Sequence, residues 1–327
     1  MTTAIGTPIP GADAPKGQGP WRLAWRRLRR KRLGMICLVI ISTIYLAGIF
    51  APLLDTHDYR STDLTRTQQG PSWDNWFGTD RTGRDIYTRV LWGIQTTVII
   101  TLTGLLTGSL VLGVSLGLMA GYFRGWFDAL VMRLGETVSA FPDILLIILL
   151  AATLRPRVLD WTRSVQEATG LDGLVSSGIV DYIVIGIALL PLSWFGTMRL
   201  IRGQVLQLRQ ADYVDAARAM GTSTPRILFR HILPNVISPL IVTMTFGLGA
   251  VALSEVVLSF FGLGVQPPRP SLGVMIGDAT GRGGAATSVL QNHPEQLLAP
   301  IAVVWLLIFC WNLLGDALTD VLNPRSR

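Results

Sequence analysis

Glu136, Asp143 and Glu255 are carboxylates set in or beside long apolar runs. An ionised carboxylate is costly in hydrocarbon, so each of these acids is expected to face a neighbouring helix or a water-filled path. For Glu255, inside Val251-Ala-Leu-Ser-Glu-Val-Val-Leu-Ser, three readings stay open: a hydrogen bond between helices, a place on a translocation path, and proton coupling. Asp143 follows Phe141-Pro142, which reads as a kinked or capped helix. An enzyme using Asp143 and Glu255 as an acid pair would need both carboxylates to meet around one substrate bond, and the sequence does not show that meeting.

Other chemistries find few residues to work with. The two lysines, Lys16 and Lys31, are followed by Gly17 and Arg32, so no Gly-rich phosphate cradle ending in Lys-Ser/Thr can be drawn. If ATP powers this protein, another chain must bind it. The three histidines, His57, His231 and His293, are far apart and none belongs to a His-Glu-x-x-His pattern, so no metal site is expected. Cys37 and Cys310 fall in apolar runs and read as small hydrophobes. No cofactor is therefore assigned to this chain.

The elements that must hold these residues follow from composition. Of 327 residues, 50% are hydrophobic and 15% charged, with mean hydropathy +0.45, which is too apolar for a soluble surface. Six apolar stretches, at about 33–54, 94–121, 126–154, 181–203, 235–263 and 298–321, each reach the ~20 residues that a spanning helix needs. The fold class expected is an all-α, polytopic membrane protein with six transmembrane helices. Arg26-Arg27 and Arg29-Arg30 precede the first run, but at about 22 residues it is longer than an export signal's apolar region, ~7–15 residues, and reads as a retained anchor.

An even number of spans puts both termini on one side. Segments 1–32, 124–133, 199–230 and 325–327 carry 18 of the 28 Lys and Arg residues, and the alternate segments carry 10, which places the termini in the cytoplasm. The net charge of +7 is explained by that orientation, with seven positive residues between Arg22 and Arg32, and not by a nucleic-acid groove. Residues 1–20 read as a disordered tail, 21–32 as a basic interfacial segment meeting membrane lipid, and 33–325 as the transmembrane domain. Gly104, Gly108, Gly113 and Gly117 offer a small-residue face for close helix packing.

The cytoplasmic stretch 209–234 is the most informative. Asp212 can start a short helix, Asp215 stands in the capping-box position, and Gly221 can take the left-handed turn that closes the helix. Thr224-Pro225 reads as a cap and first helical residue of a second helix, which is expected to stop near Pro234.

Asp215-Ala216-Ala217, then Gly221, then Leu233-Pro234, resembles the EAA loop of permease subunits of bacterial ABC importers, with Asp215 where the motif has Glu. Further motifs are similar to the C-type permeases of the dipeptide, oligopeptide and nickel importers. They are Phe77-Gly-Thr-Asp-Arg-Thr-Gly-Arg-Asp, Ala140-Phe-Pro, Leu258-Ser-Phe-Phe-Gly-Leu-Gly-Val-Gln-Pro-Pro and Asn312-Leu-Leu-Gly-Asp, in fixed order from Arg22 to Arg325.

The resemblance implies a type I ABC importer permease fold in a bacterial inner membrane, with a cytoplasmic coupling helix between helices 4 and 5. It implies three kinds of partner: a related second permease, two ATP-binding subunits that hold ATP and Mg, and an extracytoplasmic substrate-binding protein. It implies that Asp215, Ala216, Ala217, Gly221, Leu233 and Pro234 couple ATPase motion to solute passage, in a subunit that is not itself catalytic. Peptide is the leading solute. Nickel or another solute of the same family, and an ion-gradient-driven secondary transporter, are the alternatives.

Overall fold

The computed structural model describes residues 20–170, 173–175, 177–281, 289 and 291–322. The expected tail at 1–20 lies, but for Pro20, outside the described residues, as do residues 323–327. The described chain is helical, and its one β-type contact is an isolated bridge between Thr79 and Asp85. Helix α1 (Pro20–Arg30) carries the Trp/Arg segment, and Lys31, in extended backbone, separates it from the first span, α2 (Arg32–Ile49). A short helix α3 (Ala51–Leu54) follows, with Pro52 in its first turn.

The second span runs from Ile86 to Phe123 as one apolar rod: α4 (Ile86–Gly104), a π-helical stretch (Leu105–Gly113) and α5 (Val114–Phe123). It starts eight residues before the expected position 94, because the Asp85 side chain caps α4 by accepting from the Thr88 N–H. The π stretch keeps the glycine face in line. Gly104 to Gly108 is a step of four and Gly108 to Gly113 a step of five, and the wider π turn absorbs the extra residue.

The third span is a broken pair, α6 (Gly125–Ser139) and α7 (Asp143–Thr169), bent by 93° at Ala140-Phe141-Pro142. The single run expected over 126–154 is corrected accordingly: Pro142 cannot continue α6, and α7 goes on well past 154 to a left-handed stop at Gly170. The fourth span joins α8 (Ile179–Ser193) to α9 (Phe195–Leu208) with a break at Trp194. Counting the bent pair as one, six segments among the described residues are long and apolar enough to cross a membrane.

After α10 (Asp212–Ala219) the fifth span is continuous from Thr224 to Phe260: α11 (Thr224–Arg226), a second π stretch (Ile227–Ile232) and α12 (Leu233–Phe260). The expected stop near Pro234 does not occur. The π stretch just before Pro234 loosens the ladder where its N–H is missing, and Asn235 Nδ2 donates to the His231 carbonyl at 2.7 Å. The loop before the last span also holds a helix, α13 (Leu272–Ala279), capped by Ser271. The last span is α14 (Glu295–Leu322).

Lipid offers no hydrophobic gain for bringing helices together, so tight backbone approach must supply the association. A Cβ on Gly113 would lie 2.8 Å from Thr197 Cβ, one on Gly117 2.7 Å from Ile201 Cβ, and one on Gly121 2.7 Å from Val205 Cβ. All three face α9, so the second and fourth spans meet glycine to side chain along two turns. Ser109 Oγ adds a hydrogen bond to the Ser193 carbonyl at 2.9 Å, beside the α8–α9 break. Arg202 on α9 pairs with Asp128 on α6 through two guanidinium nitrogens. Cys37 and Cys310 sit in the apolar seam between α2 and α14.

Candidate functional site

The short helix α10 stands on an apolar platform at one end of the bundle. Val214 and Ala217 are buried in one cluster with Val114 and Leu118 of α5, Ile201 and Val205 of α9, and Ile227, Leu228 and Ile232 of the π stretch. Leu233 packs on the same cluster from the start of α12. Tyr213, Asp215, Ala216 and Met220 form the outward side, with Met220 77% exposed.

The closing turn has the expected form. Gly221 has φ +74°, its N–H donates to the Arg218 carbonyl at 2.9 Å, and the Thr222 N–H donates to the Ala217 carbonyl at 3.0 Å. These two bonds make a Schellman closure, and a left-handed residue at that position is why glycine is needed. The start of the helix differs from expectation. Ala211, not Asp212, is the capping residue, and its side chain makes no cap bond. Asp215 Oδ1 instead accepts from Arg218 Nη1 at 2.8 Å, an exposed pair one turn along. Both acids remain in the first turn, where they complement the helix dipole. Likewise Ser223, not Thr224, precedes the helix that carries Pro225.

Two arginines fix this platform to the end of the second span. Arg209 Nη1 donates to the Tyr122 carbonyl at 2.8 Å, and the Arg218 guanidinium lies 5.3 Å from the Tyr122 ring centroid. Displacement of α10 is thereby tied to α5. Of the residues expected in coupling, Asp215, Ala216 and Gly221 are exposed on or beside α10, Ala217 is 1% exposed in its floor, Leu233 is half-buried, and Pro234 is exposed on the continuous fifth span.

Glu255 lies elsewhere, inside the bundle, with 0% exposure. Its carboxylate accepts three hydroxyls, each at 2.9 Å: Thr97 from α4, Ser259 one turn on in α12, and Ser271 from the cap of α13. Three elements meet on one side chain. In this conformer it has no open face, the arrangement of an acid that bonds helices to one another.

The other two acids do not share this junction. Glu136 is exposed beside Arg133, and Asp143 is exposed at the first turn of α7 without a cap bond. Asp143 and Ser254 line an otherwise apolar cavity of about 340 Å³ between α7 and α12. Sequence reasoning did not single out this pocket; the bend at Pro142 was the available signal. No cluster of metal-ligating side chains occurs among the described residues.

The extended loop between α3 and α4 is organised by its motif. Asp80 Oδ1 accepts from the Thr82 and Arg84 N–H groups at 2.8 and 3.0 Å, and Oδ2 from Arg84 Nε at 2.7 Å. Burial pushes the Asp80 carboxyl upward, but the charges of Arg84 and Arg89 with these hydrogen bonds outweigh it and hold the group below its ordinary value. The Leu258-to-Pro268 motif closes α12 at Gly262, φ +79°, and brings the Gln266 N–H to Asp181 Oδ2 at 2.8 Å. Arg155 binds Asp181 Oδ1 at 2.8 Å and the Gly264 carbonyl at 2.6 Å, so this turn is tied to α7 and α8.

Comparison with known proteins agrees with this architecture. The chain is 37% identical to a dipeptide transport system permease protein of Alkalihalophilus pseudofirmus over 98% of its own length and 96% of the relative's. It is 34% identical to an oligopeptide transport system permease protein of Bacillus subtilis (94% and 90%), and 37% identical to a glutathione transport system permease protein of Salmonella typhimurium (94% and 91%). Residues 19–71 match the N-terminal TM domain of oligopeptide transport permease C. With residues 113–327 matching as well, the chain belongs to the family described as binding-protein-dependent transport system inner membrane component.

Proposed function

We propose that this chain is the transmembrane permease subunit of an ATP-driven importer of dipeptides or oligopeptides, forming half of the path and carrying ATPase motion into it. The observation that carries this reading is α10: a short helix, closed by Gly221 and seated on α5, α9 and the fifth span, whose outward side stays exposed among the described residues. Such a helix is shaped to be held by a groove on another subunit, and its floor passes displacement to spans two, four and five together. Asp215, Ala216 and Gly221 lie at the contact; Ala217 and Leu233 join it to the core, and Pro234 stands where the fifth span leaves it.

The partners in this reading are a related second permease, two ATP-binding subunits that hold ATP and Mg, and an extracytoplasmic solute-binding protein. The side that carries α10 and the termini is the cytoplasmic side of a bacterial inner membrane, in keeping with its excess of arginine. The names of the relatives support peptide as solute. The full burial of Glu255 among three hydroxyls supports a structural role for it over a proton-carrying or path-lining one.

The test is purification of the chain from its native membrane in mild detergent. ATPase chains should co-purify, and Gly221→Pro or Asp215→Lys should release them, or uncouple transport from hydrolysis, while membrane insertion stays intact. Normal peptide transport by both variants would remove the coupling role from α10. A chain that purifies alone and transports in liposomes on an ion gradient would replace this reading with a secondary transporter.

A further inference from the structure

The loop motif Phe77-Gly-Thr-Asp-Arg-Thr-Gly-Arg-Asp has no task in the coupling surface, since Ile86 and Phe123 are opposite ends of the second span and α10 packs at the Phe123 end. Its residues enclose a cavity of about 260 Å³ against α13 and the start of α14. Asp278 at this cavity is 49% exposed, so the cavity reaches the surface, while Gln296 and Arg89 are 5% and 3% exposed and lie deep.

Arg89 is the unusual group. Its Nε is 3.7 Å from Asp80 Oδ2, an ion pair beyond hydrogen-bond reach, and its Nη1 has no hydrogen-bond partner among the described residues. A buried guanidinium nitrogen left without an acceptor costs free energy and needs a reason. The hydrogen bonds to Asp80 come from Thr82 and Arg84, at Oδ1 from the Thr82 N–H and hydroxyl and the Arg84 N–H and at Oδ2 from Arg84 Nε, and Arg89 contributes none of these. Among the described residues, the charged side chains lining the cavity are Arg81, Arg84 and Arg89 with Asp80 and Asp278. The cavity is too small for a drug-sized ligand and has room for a group of a few heavy atoms.

We propose that this cavity is a carboxylate-binding site, in which the Nη1 end of Arg89 meets one small carboxylate entering at the end of the bundle opposite α10. A planar carboxylate matches the guanidinium and supplies the acceptor that Nη1 lacks. The carboxylate has two possible sources: an acidic side chain of a protein docked at that end, or the terminal carboxylate of a solute. The proposal stands on the cavity and on Arg89, and it holds whether or not α10 couples to an ATPase.

The experiment uses the full-length chain purified in detergent micelles and carbon-13-labelled acetate as the probe, with binding read from line broadening of the acetate signal. Saturable broadening is expected for the natural chain, and at least ten-fold weaker binding for Arg89→Gln. Should that variant not fold, Arg89→Lys keeps the buried charge without the fork and should bind at least five-fold more weakly. Absence of saturable broadening, or equal binding by the folded variant, overturns the site. Competition then tells the sources apart. Trialanine displacing acetate far more strongly than unlabelled acetate does, with its C-terminal amide inactive, assigns the site to solute; trialanine no stronger than acetate assigns it to an acidic side chain of a docked protein.

Discussion

The Thr97 hydroxyl on the second span donates to the Glu255 carboxylate on the fifth at 2.9 Å, and it does so where neither group meets water. With Ser259 and Ser271 on the other oxygen, the acid closes a junction of α4, α12 and α13. Removing one partner of such a junction leaves the others buried and unsatisfied. Glu255→Leu is expected to lower stability by on the order of 3 kcal/mol, read as a fall in the thermal midpoint in micelles. Glu255→Gln keeps acceptor and shape, so it should lose less and should retain peptide transport; transport abolished in Glu255→Gln with stability intact would point to a proton-coupled role instead.

A glycine on the packed face of the second span and one in open space on the fourth give predictions of opposite sign. In Gly117→Ala the new methyl carbon meets the Met198 carbonyl at 2.8 Å and Ile201 Cβ at 2.7 Å, so the spans must part, at a cost of about 1–3 kcal/mol. Gly203→Ala, on α9, meets nothing within 4 Å and should gain up to about 1 kcal/mol from helix propensity. Thermal midpoints of the two variants in one detergent decide the matter: shifts of the same sign would argue against close packing of the second and fourth spans.

At the proposed coupling surface, Gly221→Ala forces a side chain into φ +74° in open space, so the penalty of about 1–2 kcal/mol is conformational and local. Hydrogen exchange should accelerate in the amides at positions 221 and 222, which close α10, while the amides of α9 keep their protection. Uniform acceleration through α9 would mean that α10 is a working part of the bundle core and not a separately hinged knob.

Much of this architecture was legible because lipid demands long apolar runs, and six of them stand in the sequence. What escaped was the fate of proline. Pro234 reads as a stop by the rules of soluble helices, yet Pro156, Pro191, Pro239 and Pro300 all lie inside helices here. In a bundle a missing N–H does not end the helix, because a π stretch just before Pro234 absorbs the missing step. Gly221 was legible because only a glycine turn closes α10 so cheaply. The capping of α10 was not, because Asp212 and Asp215 are suited to either a cap or a first turn, and the extended backbone of Ala211 decides between them. The cavity at Arg89 was beyond reach for a different reason: Gln296, which lines it, is more than 200 residues away in the chain.

Asp80 supplies the pH prediction. Its carboxyl is held below its ordinary value of 3.8 in the folded chain, so the unfolded chain takes up the proton first as pH falls. The stabilisation it provides is complete above the ordinary value, declines as pH drops from about 4 toward the folded value, and is gone once the folded carboxyl is protonated. Asp80→Asn lacks this group and should be less stable at pH 7, while its thermal midpoint should fall less steeply than that of the natural chain below about pH 4. Hydrogen exchange at Thr82 and Arg84, whose amides bond Asp80, locates the effect in the loop. Parallel acid profiles for the two chains, with unchanged protection at Thr82, would show that Arg84 and Arg89 do not hold this loop through Asp80.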